Sequence, residues 1–357
     1  MVRVLAVFLA AFLLLPSPSN AAPTPSKEDG ATIGFIYISP AADAGWSYSH
    51  DLARRALAAL PGVTTYFQEN VPEGRPAELA IREMVAKGCT IIFTTSFGYM
   101  DQTIKVAEEY PDIVFLHCSG YKTAPNVSTY FGRIYQARYL TGLVAGAMTK
   151  SKRIGYAAAY PIPEVIRGIN AFTLGARQAN PEVEVHVAWT KTWHDASKER
   201  AAAEELITAG ADVIAQHQDS AVVQRVAQER GVYSVGYHTD MSAFAPQAHL
   251  VSAVWNWVPF YLDVVARVRR GEWHSSQFWP GMESGIVGIS DFGPMVPQSV
   301  RDNVLKHREA IAEGKEVVFS GPVIDQNGRI RIRKGETPDD RTLLHMNWFV
   351  QGVVATL

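Results

Sequence analysis

The sequence predicts an α/β protein built as two doubly wound parallel-sheet lobes with a ligand cleft between them. Three observations carry this. Short, continuously apolar, β-rich runs alternate with amphipathic helical stretches, the pattern of a parallel sheet covered on both faces. The alternation runs through once, restarts, and runs through again at similar size. Chain then remains beyond the second series, enough to cross back, so both lobes are expected to be discontinuous.

In the first series, Ile33 to Ile38 reads as a strand and Ser49 to Leu60 as a helix stopped at Pro61-Gly62. Thr64 to Gln68 is the next strand, Ala77 to Lys87 a helix closed by Gly88, and Thr90 to Thr94 a strand. A helix over Met100 to Tyr110 and strands over Ile113 to His117 and Val127 to Phe131 complete it. The second series opens with the strand Arg153 to Ala158 and a helix from Pro163 to Gln178, with proline in its first turn. Strands over Val183 to Trp189, Val213 to Ala215 and Tyr233 to Gly236 follow, with helices over Ser197 to Ala209 and Ala221 to Glu229 between them. Leu250 to Val254, a helix over Val258 to Arg270 and a strand over Gly285 to Ile289 come after. The expected division is 31–150 plus 250–278 for one lobe and 151–249 plus 279–357 for the other. Crossovers are expected near Thr149 to Lys152 and around Leu250.

Residues 1–22 read as an export signal: Arg3, an apolar run from Val4 to Leu15, then the small-residue ending Ser19-Asn20-Ala21-Ala22. That run is short for a bilayer span, which needs roughly 20 apolar residues. No cysteine follows it, so no lipid anchor is expected, and the expected location is the periplasm. A net charge of -2 with interspersed signs excludes a nucleic-acid stripe. Cys89 and Cys118 fall at opposite ends of two neighbouring apolar runs and read as small core residues rather than a bridge.

Ligands of open parallel sheets bind beyond the carboxyl ends of the strands. Here those ends carry Asp43-Ala44-Gly45-Trp46-Ser47-Tyr48, Ser96-Phe97-Gly98-Tyr99 and Thr192-Trp193-His194-Asp195. His217-Gln218-Asp219, Tyr237-His238-Thr239-Asp240 and Trp255-Asn256-Trp257 continue the series. So many rings in loops, beside a few polar groups, suit a flat, uncharged, hydrogen-bonding ligand. Catalytic patterns are missing: no G-x-S-x-G elbow, no H-E-x-x-H, no paired-cysteine metal spacing and no G-x-G-x-x-G. The pairs His194/Asp195, His217/Asp219 and His238/Asp240 read as ordinary polar contacts, and neither a metal nor a cofactor is expected.

Several segments carry a family resemblance: Ser96-Phe97-Gly98-Tyr99, the stretch from Asn126 to Gly146, Ile154-Gly155-Tyr156 and Trp193-His194-Asp195. Gly236-Tyr237-His238-Thr239-Asp240 and Gly321-Pro322-Val323 add to it. Over about Ile33 to Val353 the chain resembles the basic membrane protein (Bmp/PnrA-like) family of ABC-transporter substrate-binding proteins. The resemblance implies a type I periplasmic-binding fold, a purine nucleoside or related ligand, and a permease partner in the inner membrane. It places Tyr48 and Trp193 on the faces of a base, with Trp46, Phe97 and Trp255 around its edges. His217, Asp219, Asp240 and Asn256 become candidates for ring nitrogens and exocyclic groups.

Two positions depart from the family pattern. His238 stands where an aspartate usually binds the ribose hydroxyls, and Trp255 where a lysine usually reaches the sugar. A site that loses hydroxyl-pairing groups relaxes its demand for the sugar, so a free nucleobase is expected, adenine first, with a nucleoside as the alternative. The chain is expected to be a monomer without turnover. A secreted nucleoside hydrolase and a sensing module are the rivals from other classes.

Overall fold

The computed structural model describes residues 30–42 and 44–355. The export signal read at 1–22 lies outside them, as does Asp43. The first sheet is built from β1 (Ala31–Ile36), β2 (Val63–Gln68), β3 (Ile91–Thr94), β4 (Val114–Cys118) and β5 (Val127–Tyr130). Between them run α1 (Trp46–Ala58), α2 (Arg75–Ala86) and α3 (Met100–Glu109). β3, with the sequence IIFT, is buried at every position, as a strand covered on both faces must be.

The chain then passes through α4 (Tyr135–Met148) into β6 (Arg153–Ala158), α5 (Pro163–Ala179), β7 (Glu184–Trp189) and α6 (Ala196–Thr208). β8 (Val213–His217), α7 (Val222–Glu229), β9 (Tyr233–His238) and β10 (His249–Trp255) follow. Next come α8 (Val258–Arg269), β11 (Gln277–Phe278), β12 (Val287–Ile289) and α9 (Gln298–Ala312). A short hairpin of β13 (Val323–Ile324) and β14 (Ile330–Ile332), then α10 (Asp340–Leu344) and β15 (Val353–Val354), complete the described chain. The strands form two main sheets, ordered β11-β5-β4-β3-β1-β2 and β12-β10-β9-β8-β6-β7-β15. All neighbours are parallel except β10 and β12. The two-lobe, doubly wound α/β architecture is as the sequence predicts.

The expected lobe boundaries need two corrections. The strand at 249–255, expected in the first lobe, pairs in register with β9 in the second sheet, Val254 opposite His238. α4, also expected with the first lobe, packs along α5 of the second. A Cβ on Gly142 would lie 2.0 Å from the Phe172 carbonyl oxygen, and one on Gly146 2.1 Å from that of Ala176. Only glycine allows two helix backbones so close, and this contact ties α4 to the second sheet's cover. The chain therefore crosses between lobes at 131–134, at Asn256–Trp257 and between Phe278 and Val287, not at 149–152 or Leu250. Both thiols, Cys89 and Cys118, are buried and free. No helix among the described residues is long and apolar enough to cross a membrane.

Candidate functional site

Sheet topology brings the strand ends of both lobes to one cleft. Ala44 and Gly45, ahead of α1, meet the loops after β8 and β9. The Thr239 hydroxyl donates to the Ala44 carbonyl at 2.5 Å. A Cβ on Gly45 would sit 1.8 Å from the carbonyl oxygen of Asp219. The lobes are closed on each other at these points. Ala44 and His238, one in each lobe, hold positive φ of 55° and 74°. That costs energy for residues other than glycine and collects where surrounding structure over-determines the backbone.

The pocket between the lobes encloses about 350 Å³ of empty space, the solvent at its mouth included. From the first lobe it is lined by Ile38, Trp46, Ser96, Phe97 and Ser119. Glu164, Trp193, His217, Asp219 and His238 come from the second. Trp46 opens α1 and its indole N–H donates to the Thr95 carbonyl. Phe97 lies in a single 3₁₀ turn after β3. Trp193 is half-buried, its ring edge-on to Tyr160 at 5.1 Å.

Six of the residues expected at the site from sequence line this pocket: Trp46, Phe97, Trp193, His217, Asp219 and His238. The other four do not. Tyr48 is half-buried on α1, two residues along from Trp46, and a helix turns it off the cleft. Asp240 is exposed, its carboxylate accepting from the Ser242 amide at 2.9 Å. Trp255 is buried behind Trp46, 5.8 Å between ring centres, and stacks on Trp257 at 4.6 Å. Asn256 is exposed at the crossover. Asp195 accepts from the amides of Ser197 and Lys198 at 3.1 Å as the N-cap of α6. Glu164, Ile38 and Ser119 were not expected from sequence, and Ser96 only as part of a strand-end segment, although each follows a strand, so the strand-end rule reaches them.

Burial governs the site's electrostatics. It holds the His217 imidazole well below its usual range, with Arg138 acting in the same sense. His238 is depressed by burial first, then by His217, Arg138 and His50. Asp219 is raised well above the usual carboxylate range by burial and then by Glu199 and Glu164, while the Ser39 hydroxyl pulls the other way. Burial pushes Glu164 up to about 7 against Arg167 and Arg138. His238 Nε2 lies 3.4 Å from Asp219 Oδ1 and His217 Nε2 3.8 Å from Glu164 Oε1. Both His238 ring nitrogens and His217 Nδ1 lack a hydrogen-bond partner among the described residues. A neutral imidazole offers one donor and one acceptor, so these edges are equipped to read a polar ring.

Five buried histidines bear on acid stability. His50 and the two site histidines lie well below the usual range, His117 falls to about 3 and His249 to about 4, burial being the largest cause each time. Below about pH 6.5 the unfolded chain protonates each of them and the native state does not, so each removes about 1.4 kcal/mol per pH unit. The raised carboxyls of Glu164, Asp219 and Glu199 oppose this. They are protonated in the native state above their unfolded pKa of about 4, a contribution gained as pH falls and complete near that value. Stability should thus decline from pH 6.5 to 4.5, where the carboxyls offset part of the loss, and more steeply below. Thermal unfolding of the ligand-free protein across pH 7.5 to 3.5 checks this; a Tm that holds level below 4.5 contradicts it.

Two α/β lobes closed on an aromatic pocket at their strand ends define the class: a type I periplasmic binding fold. Among solved structures, an ABC-transporter solute-binding protein from Aeropyrum pernix K1 matches with a TM-score of 0.71 at 17% identity, over 88% of this chain and 95% of that one. Another from Conexibacter woesei matches with a TM-score of 0.67 at 20% identity, over 81% and 98%. At the level of sequence, the Bmp family, described as ABC transporter substrate-binding protein PnrA-like, matches residues 31–319. The chain belongs to that family. A protein of Brucella abortus named purine-binding protein is 44% identical over 328 residues, 91% of this chain and 93% of that protein. A Haloferax volcanii protein named putative ABC transporter glucose-binding protein is 39% identical over 330 residues, 92% and 82% of the two.

Proposed function

We propose that this substrate-binding protein works in the periplasm, captures a purine nucleobase, adenine first, and hands it to a permease in the inner membrane. The name of the Brucella relative supports the purine. The nucleobase rests on one observation above all: at the position where the family pattern has a ribose-binding aspartate, His238 presents an uncharged imidazole, stacked on Tyr237 at 3.7 Å. The lysine position is held by Trp255, behind the wall rather than in the pocket. Trp46 and Phe97 of one lobe face the base opposite Trp193 of the other. His217, Asp219, His238 and Glu164 read its edge.

Titration calorimetry with adenine, adenosine, guanosine and glucose tests this. Adenine should bind at least about tenfold more tightly than either nucleoside, the effect expected of one mismatched polar contact. Tighter adenosine binding overturns the nucleobase, and binding of glucose alone overturns the purine. Incubation with adenosine should release no ribose; release over time would favour the hydrolase reading.

A further inference from the structure

Glu164 lies in the first turn of α5 and lines the pocket with its side chain 16% exposed. No described residue donates a hydrogen bond to its carboxyl; His217 stands off at 3.8 Å. Two cations lie behind it. Arg167 is buried, and its guanidinium donates to the Leu343 carbonyl at 2.8 Å. Arg138 of α4 is fully buried, its face 3.4 Å from the centre of the Tyr237 ring, and its three nitrogens have no acceptor among the described residues. Neither arginine forms a direct ion pair with Glu164. They act on it through a medium from which water is largely excluded, where charge reaches further than at a surface.

Charge balance points to what Glu164 does. Two buried guanidiniums without a countercharge are strongly unfavourable, and Glu164 is the carboxyl whose titration both of them lower. The other titratable groups near it are Asp219 and His217 from β8 and its loop, Tyr237 from β9, and Cys118 from β4 across the cleft. A pocket carboxylate without a protein donor fits a donor on the ligand.

We propose that Glu164 is a specificity-determining residue, a pocket carboxylate backed by the buried Arg138 and Arg167, which accepts a hydrogen bond from an N–H-bearing edge of the ligand. Arg138 is then a positioning residue in the electrostatic sense, never touching the ligand. The proposal rests on the purine reading for the identity of that edge. Burial of Glu164 works against the arginines and leaves its titration near neutrality, so the contact weakens on mild acidification.

The test is adenine affinity by calorimetry from pH 5.5 to 8. In the unmodified protein it should fall up to about tenfold per pH unit below neutrality and level off above, the slope of one linked proton. Glu164→Gln should bind several-fold more weakly at pH 8 and lose that slope. Arg138→Met should move the transition to higher pH, and Arg138→Lys should return it. An unchanged slope in Glu164→Gln, or an unmoved transition in a folded Arg138→Met, overturns the proposal. Should Arg138→Met not fold, the lysine variant and a carboxyl carbon-13 titration of Glu164 decide: a midpoint near neutrality supports it and one below 5 sinks it. That titration needs no ligand. If adenine fails to bind at any pH while Glu164 still titrates near neutrality, the purine reading falls and the Arg138–Glu164 coupling stands.

Discussion

Replacing Gly45 with alanine should abolish tight ligand binding and leave the ligand-free protein as stable as before. Gly45 precedes α1 with φ of −94°, so the left-handed conformation that favours glycine is not what holds this position. The obstacle is the other lobe. The added methyl would sit 1.8 Å from the Asp219 carbonyl oxygen, 2.3 Å from its carbon and 2.9 Å from its Cα. All three are backbone atoms, so no side-chain rotation relieves the clash and the lobes must separate. Separation also pulls Thr239 from the Ala44 carbonyl and parts the Trp46 and His238 rings, now 5.5 Å apart. A ligand that needs both walls then binds only a rare state, and its apparent affinity falls by that state's fraction. A closed population of about one in a hundred gives about a hundredfold loss. Calorimetry with adenine measures it, and small-angle scattering should show the variant failing to compact on addition of ligand. Binding within threefold of the unmodified protein would show that closure at Gly45 does not matter.

The same geometry explains what could be read from sequence. Lobes and strand ends were legible because burial on both faces of a parallel sheet imposes continuous apolar runs, as in IIFT of β3, and ligand chemistry gathers where such runs stop. Trp193, His217, Asp219 and His238, placed at strand ends in that way, line the pocket. The placements that depart from the expected ones share a cause. Tyr48 and Trp46 lie two residues apart on one helix, so a motif placed by resemblance assigns the stacking role to either until the helix's rotation is known. Trp255 ends a strand as Trp193 follows one, but crossing at Asn256 turns it into the aromatic layer behind Trp46. Boundaries failed where the chain crosses between lobes: β10 belongs to the second sheet through hydrogen bonds to β9, and no local property of HLVSAVW records which sheet that is. The G-x-x-x-G spacing of Gly142 and Gly146 is visible in sequence, yet its partner helix is not. Arg138, buried without an acceptor, contradicts the ordinary expectation for arginine and so could only emerge from the fold.

The two tryptophans that line the pocket should respond to alanine differently. Trp193 is half-buried, meeting Tyr160 at 5.1 Å and His217 at 6.2 Å between ring centres. Trp193→Ala removes a stacking face and little of the core. Stacking on a base is worth ~1–3 kcal/mol per aromatic, or roughly a 5- to 150-fold loss of affinity, with the ligand-free Tm close to unchanged. Trp46 has a second task. Its ring packs on His50 at 4.4 Å, Trp255 at 5.8 Å, Trp257 at 6.1 Å and Phe131 at 6.2 Å. Its indole also satisfies the Thr95 carbonyl. Trp46→Ala leaves a cavity between the wall and the crossover strand and frees that carbonyl, so unfolding free energy should drop by about 3–5 kcal/mol in addition to the lost stacking. Denaturant unfolding of ligand-free protein separates the two effects. Trp46→Phe refills part of the space without the N–H and should fall between them. Wild-type affinity in Trp193→Ala would remove Trp193 from the wall. Undiminished stability in Trp46→Ala would mean that the aromatic layer behind the pocket does not hold the two lobes' shared core together.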